Sequence, residues 1–324
     1  MSHADSLSNH PISPPSSSNA DYFLGFYRFP TLHNDRIVFT AEGDLWSVGL
    51  NGGLARRLTT HHGVELHAAI SPDGQRIAFS AEYEGTLDVY SMPFTGGLPS
   101  RHTHDGEGNC VVGWTPDGKI LYCTSHYSTL PNAQLATIHP DTGEVQVLPL
   151  HQASDGCLTP DGDTLFFTRL AFQGSHTKRY QGGTAQNIWK YVFGQPEAVS
   201  LTSDYPGTSK APMWWNGQVY FASDRDGTMN LWSMDADGGH LVQHTFHKGW
   251  DVQSPALHNG RIVYQLGADL HVYTIDTATH QQLDIFLTSD FEQARERWVK
   301  EPMEFLTSAH LSPKGDRLAL TARG

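Results

Sequence analysis

One turn-and-strand unit recurs along this chain, and it constrains the fold more than any other feature. Ser71-Pro72-Asp73-Gly74-Gln75-Arg76-Ile77-Ala78-Phe79-Ser80 is followed by Thr115-Pro116-Asp117-Gly118-Lys119-Ile120-Leu121-Tyr122, then by Thr159-Pro160-Asp161-Gly162-Asp163-Thr164-Leu165-Phe166-Phe167. A fourth copy stands at Ser312-Pro313-Lys314-Gly315-Asp316-Arg317-Leu318-Ala319-Leu320, and looser ones begin at His33, Trp215 and His258. Proline presets φ for a turn, aspartate can bond its own backbone, and glycine accepts positive φ, so Pro-Asp-Gly reverses the chain. The β-branched and aromatic residues that follow favour a strand.

In most copies a second apolar strand comes about six to eight residues later by the strand pattern. Examples are Asp44-Leu45-Trp46-Ser47-Val48, Leu87-Asp88-Val89-Tyr90, Asn230-Leu231-Trp232 and Asp269-Leu270-His271-Val272-Tyr273. A glycine turn then leads to a short polar strand that ends near Leu58-Thr59 or Leu201-Thr202. Aligning Ile37, Ile77, Ile120, Leu165, Val219, Ile262 and Leu318 gives steps of 40, 43, 45, 54, 43 and 56 residues. A period in the low forties with three to four short strands is the signature of β-propeller blades. The expected fold is all-β: a six-bladed β-propeller over residues 22–285, with Trp46, Tyr90, Trp189, Trp232 and Tyr273 filling the space between blades.

The remaining segments depart from the period. Residues 1–21 form an expected disordered tail, since Met1–Ala20 holds seven serines and three prolines without a basic start or an apolar core. The long fourth step contains an insertion, about residues 170–184, expected between the first pair of strands of its blade. Residues 286–303 are a helix-prone acidic linker. Residues 304–324 open a new blade, which stops at Gly324 after one strand and so suggests the truncated start of a second propeller.

Composition narrows the function. The 21 basic and 34 acidic side chains leave a net charge of −13, which argues against a nucleic-acid partner. No apolar run is long enough for a membrane helix. Cys110, Cys123 and Cys157 cannot pair completely, consistent with small buried hydrophobes in a reducing cytoplasm. No Gly-x-Ser-x-Gly elbow, Rossmann fingerprint or phosphate loop is present, so no catalytic residue and no cofactor are assigned. The stretch His61-His62-Gly63-Val64-Glu65-Leu66-His67 carries metal-ligand types but lacks His-Glu-x-x-His order, and reads as a polar link between blades. Lys178, Arg179 and Tyr180 make a basic insertion on an acidic protein, the best candidate for peptide or subunit contact.

The repeat as a whole resembles the PD40/TolB-type propeller. A narrower resemblance, to the tricorn protease family, rests on three stretches: Tyr27-Arg28-Phe29-Pro30-Thr31-Leu32-His33-Asn34-Asp35-Arg36-Ile37-Val38-Phe39, the Tyr180-Gln181-Gly182-Gly183-Thr184 insertion, and the segment from Leu311 to Gly324. That resemblance implies the non-catalytic propeller of a cytosolic, homohexameric serine peptidase that degrades peptides, with its catalytic residues in later domains. The propeller would then form a substrate or product channel and subunit contacts. In some members of the family, basic residues on one loop hold the substrate's terminal carboxylate. The corresponding loop here, residues 101–111, carries Arg101, His102 and His104 in place of an adjacent arginine pair. The alternative is a stand-alone TolB-like scaffold that binds a protein partner.

Overall fold

In a computed structural model, the described residues are 25–130, 132–170, 178–291, 298 and 300–322. The expected N-terminal tail lies outside them, as do residues 292–297 and 299 of the helix-prone linker. Two compact units are present, one ending at Thr288 and the other beginning at Ser289.

Among the described residues the larger unit contains six blades, each built on four consecutive antiparallel strands, and the sheet of blade one gains a fifth, parallel strand from the end of the ring. Blade one is β1 (Arg28–His33), β2 (Arg36–Ala41), β3 (Asp44–Gly49) and β4 (Gly52–Arg57). Blade two is β5 (Glu65–Ile70), β6 (Arg76–Ala81), β7 (Asp88–Pro93) and β8 (Ser100–Arg101). Blade three is β9 (Cys110–Trp114), β10 (Ile120–Thr124), β11 (Gln134–Ile138) and β12 (Val145–Val147). Blade four is β13 (Asp155–Leu158), β14 (Thr164–Thr168), β15 (Ile188–Val192) and β16 (Val199–Ser200). Blade five is β17 (Ser209–Trp215), β18 (Gln218–Ser223), β19 (Asn230–Asp235) and β20 (Val242–Gln243). Blade six is β21 (Val252–His258), β22 (Arg261–Leu266), β23 (Asp269–Thr274) and β24 (Thr279–Gln282). The first strands touch in the cyclic order β1, β5, β9, β13, β17, β21 and back to β1, so they surround a central axis.

Local chemistry explains the repeat. The Pro-Asp-Gly turns join first to second strands, and the hydroxyl of the preceding Ser or Thr ties each turn. Ser71 Oγ donates to Asp73 and accepts from the Arg76 amide at 2.9 Å, while the Lys119 and Thr164 amides donate to Thr115 and Thr159 in the same way. Two looser copies are two-residue Asn-Gly hairpins in which both residues have positive φ: Asn216 and Gly217, Asn259 and Gly260.

A second device ties the outer hairpin. In four blades a threonine hydroxyl accepts the amide at the head of the third strand: Leu45 to Thr59, Val89 to Thr103, Ile188 to Thr202 and Leu231 to Thr245, at 2.8–3.0 Å. The same hydroxyls donate to Glu65, Asp88, Asn187 and Asn230. This is the work of the recurring Leu-Thr and of its His-Thr variants.

Ile37, Ile77, Ile120, Leu165, Val219 and Ile262 each lie on a second strand and are fully buried. Among the described residues the apolar core divides into six clusters, one between each neighbouring pair of blades. Trp46, Tyr90 and Tyr273 are buried in these clusters, and Trp189 and Trp232 pack against them half-buried.

The ring closes through a short strand that the chain adds to the outer edge of blade one after completing blade six. After blade six, β25 (Ile285–Leu287) pairs in parallel with β4, opposite Gly53, Leu54 and Ala55. The Gly53 amide donates to Asp284 O at 2.7 Å, the Tyr27 amide to Ala268 O, and the Tyr27 hydroxyl to Ile285 O at 2.8 Å.

Three expectations are revised. The insertion lies between the second and third strands of blade four, because a first strand precedes each turn and shifts the count by one. Glu65 and His67 belong to the first strand of blade two, not to a polar link. The second unit holds two strands rather than one: β26 (Leu306–Leu311) and β27 (Leu318–Ala322) form a hairpin across the Ser312-Pro313-Lys314-Gly315 turn.

Candidate functional site

The six first strands place one residue per blade in a common layer around the axis. Each stands opposite the third residue after the buried marker on its second strand: Arg28 with Thr40, Leu66 with Ser80, Cys110 with Cys123, Asp155 with Thr168, Lys210 with Ala222 and Gln253 with Gln265. In four of the blades a bulge follows at once, with a non-glycine residue in the left-handed region: Phe29, His67, Ala211 and Ser254. Bulges bend a strand and re-aim its side chains, and such backbone strain concentrates where geometry matters.

The layer is polar and charged. Lys210 Nζ lies 3.4 Å from Gln253 Oε1. Burial lowers the Lys210 pKa, and the charges of Asp155, Asp251 and Asp224 oppose that shift. Burial raises the Asp155 carboxyl above the usual range, against hydrogen bonds to backbone and the pull of Lys210. On the other side of the ring Phe29 rests on His67 with ring centroids 4.3 Å apart, and the Arg28 guanidinium lies 5.5 Å from the Phe29 ring. Burial and the charge of Arg28 push His67 down to about 4, so it is neutral at physiological pH. The layer as a whole carries hydrogen-bonding groups, two basic side chains, Arg28 and Lys210, and one acidic one, Asp155.

The residues singled out from sequence fall on one face, the end that carries the second-to-third strand loops and the links between blades. They form two separate groups. Lys178 Nζ pairs with Asp251 at 2.8 Å, and Arg179 Nε donates to Gly227 O at 2.7 Å, so the insertion of blade four reaches blade five and the link beyond it. Tyr180 accepts from Thr184 at 3.1 Å, and a β-carbon at Gly182 would collide with the Tyr180 ring. Lys178 and Arg179 remain exposed.

Arg101 lies in blade two with its guanidinium on Asp88 at 2.7 Å and Glu84 at 3.1 Å. Arg57 makes the same pair with Asp44 in blade one, so this arginine is part of the repeat. His102 Nε2 meets Ser91 Oγ at 2.8 Å, matched in blade five by His244 and Ser233. Burial lowers the His102 pKa. His104 is exposed.

The His61–His67 stretch is dispersed. His61 stacks on Tyr83, Glu65 bonds to Tyr83 and the Leu45 amide, and His67 stands in the axial layer. Trp214 stacks on Phe166 between blades four and five.

Sequence reasoning did not single out Asp155, Lys210, Arg28 or Gln253. One signal was available: in blades one, five and six the left-handed residue precedes a proline, as Phe29-Pro30, Ala211-Pro212 and Ser254-Pro255.

Six sequential blades around an axis define a six-bladed β-propeller. A solved TolB from Agrobacterium tumefaciens shares this fold, with a TM-score of 0.58 at 18 % identity over 82 % of this chain and 91 % of its own. The chain is more specific than that. The family described as tricorn protease N-terminal beta propeller domain matches residues 24–279, and the chain belongs to that family.

Tricorn protease homolog 1 of Streptomyces coelicolor is 32 % identical over 265 residues, covering 81 % of this chain and 25 % of the relative. The crystal structure of the tricorn protease superimposes with a TM-score of 0.78 at 25 % identity, over 92 % of this chain and 30 % of that one. The chain therefore spans between a quarter and a third of these relatives' length. Among the described residues no helix is long and apolar enough to cross a membrane.

Proposed function

We propose that this propeller is the non-catalytic portion of a cytoplasmic serine peptidase that degrades peptides as a homohexamer, and that its axis conducts peptide. The observation that carries the reading is the family match over residues 24–279, which coincides with a closed ring of first strands. The axial layer supports it, since Lys210 and Asp155 present charges of both signs beside uncharged Gln253, suited to peptides of varied sequence. Exposed Lys178 and Arg179 and half-buried Tyr180, on an insertion that breaks the repeat, contact a neighbouring subunit or a peptide on the same face. Arg101 holds that face in shape through Asp88, with His102 and His104 beside it.

The test is the intact mass of the native product from its source cells, together with turnover of short peptides. A product several times heavier than this chain, whose turnover a serine reagent abolishes, supports the reading. A product of this length that turns over no peptide overturns it.

A further inference from the structure

The repeat places a basic residue at the head of several second strands, just before the buried marker: Arg36, Arg76, Lys119 and Arg261. In blades one and two this arginine reaches the third-to-fourth strand turn of the next blade. Arg36 lies over the ring of Phe94 at 4.7 Å, and Arg76 pairs with Asp141 at 2.8 Å. Blade six faces blade one, where the equivalent turn is only Leu50 and Asn51. That short turn supplies neither an aromatic ring nor a carboxylate. Among the described residues no carboxylate comes within ion-pair distance of Arg261.

A cavity of about 250 Å³ occupies the place instead, lined by Asn51 from blade one and by Arg261, Thr274, Thr279, His280 and Gln281 from blade six. Leu50 and Val272 make its apolar wall, and no aspartate or glutamate lines it. The lining offers a guanidinium, two hydroxyls, two amides and an imidazole. On a chain of net charge −13, a half-buried arginine among donors and without an acid is selective for negative charge.

We propose that this cavity at the seam between blades six and one is a binding site for a small oxyanion, a phosphate or carboxylate group, held on the Arg261 guanidinium. The cavity lies among the third and fourth strands, away from the axis, so the site is independent of peptide passage. A ligand there would bridge the one junction that the chain crosses only through β25.

The test is calorimetric titration of the intact 324-residue chain with inorganic phosphate and, separately, acetate, at constant ionic strength held with chloride. Saturable binding of either anion, weakened about tenfold or more in Arg261→Gln and in Asn51→Asp, supports the site; tenfold corresponds to 1.4 kcal/mol. Asn51 is on an exposed turn, so its carboxylate variant keeps the test open should Arg261→Gln fail to fold. Phosphate binding without acetate binding assigns a phosphorylated ligand, and acetate binding assigns a carboxylate. Binding of equal strength in the wild type and both variants, or no saturable binding of either anion, overturns the proposal.

Discussion

Blades one and two meet across a junction that the chain itself crosses; blades six and one meet across one that it closes from a distance. At the first, residues 58–64 link the sheets, and buried Glu65 stitches them together. Its backbone carbonyl accepts from Thr40 Oγ1 at 2.9 Å, and its carboxyl takes the Leu45 amide and the Thr59 and Tyr83 hydroxyls. At the second, Tyr27 bonds Ile285 across a sequence separation of 258 residues, and the Asn34 amide donates to His258 Nδ1 at 3.0 Å. The length-dependent cost of closing so long a loop is about 5 kcal/mol, against about 2 for a seven-residue link. The apolar clusters differ in the compensating direction. Among the described residues, fourteen buried ones form the closing cluster, and eight form the one between blades one and two. Two additional buried aliphatic side chains, at about 1.5–3 kcal/mol each, suffice to offset the difference. Where connectivity is weak, packing is heavier.

The largest expected effect separates the junctions by where they open. Tyr27→Ala and Phe79→Ala each remove a buried ring, one from each cluster, and should each cost about 3–5 kcal/mol. Amide exchange distinguishes them: Tyr27→Ala should speed exchange in β4 and β25, whereas Phe79→Ala should spare both. The same exchange pattern in the two variants would break the comparison.

The next effect is in pH, where the two junctions respond in opposite senses. Burial pushes the Glu65 carboxyl from 4.5 up to about 7, against its bonds to Thr59 and Tyr83 and with a further push from Asp44. The folded chain holds a proton there that the unfolded chain releases, so this junction loses stability as pH rises from 4.5 to 7. Glu65→Gln should remove that slope, changing the difference in unfolding free energy between pH 4.5 and 7 by about 3 kcal/mol. Denaturant titration at the two pH values measures it. His258 behaves in reverse. Burial and the neighbouring His33 hold it down to about 4, and its Nδ1 must accept the Asn34 amide. The seam therefore weakens as pH falls from 6.5 toward 4.

Smaller effects sharpen the contrast between repeat and insertion. Arg101→Ala leaves fully buried Asp88 without its cation and should cost about 1.5–3 kcal/mol. Lys178→Ala breaks an exposed pair and should cost less than about 1 kcal/mol. Thermal or denaturant midpoints of the two variants decide it. Equal losses would mean that the insertion is as much a part of the framework as the repeat.

Much of this architecture was legible because turn chemistry is local. Ser-Pro-Asp-Gly and Asn-Gly specify their own hairpins within six residues, and the marker six residues after Ser71, at Ile77, is buried as its periodicity requires. The first strands were not legible in the same way. Glu65–Ile70 has no turn signal of its own and mixes Glu, His and Ala, so its strand character comes from lying between β6 and the neighbouring blade. For that reason the turn period alone places the insertion one strand pair too early. The structural role of Arg101 is hidden in the sequence because its partner Asp88 is thirteen residues back, across a hairpin. The axial layer needs the closed ring: Asp155 and Lys210 are 55 residues apart and share an environment only once blades four and five stand side by side.

The parallel pairing of β25 with β4 also sets an order of events during synthesis. A ribosome delivers blade one first, yet its outermost strand gains its last neighbour only when residues 285–287 emerge. Until then the β4 edge and the apolar flank around Tyr27 and Trp46 have no partner from their own chain. Exposed edges and apolar faces are where growing chains aggregate or pair with a second copy. The hazard is greatest for the earliest part of this protein, and it ends with three residues near the end of the ring.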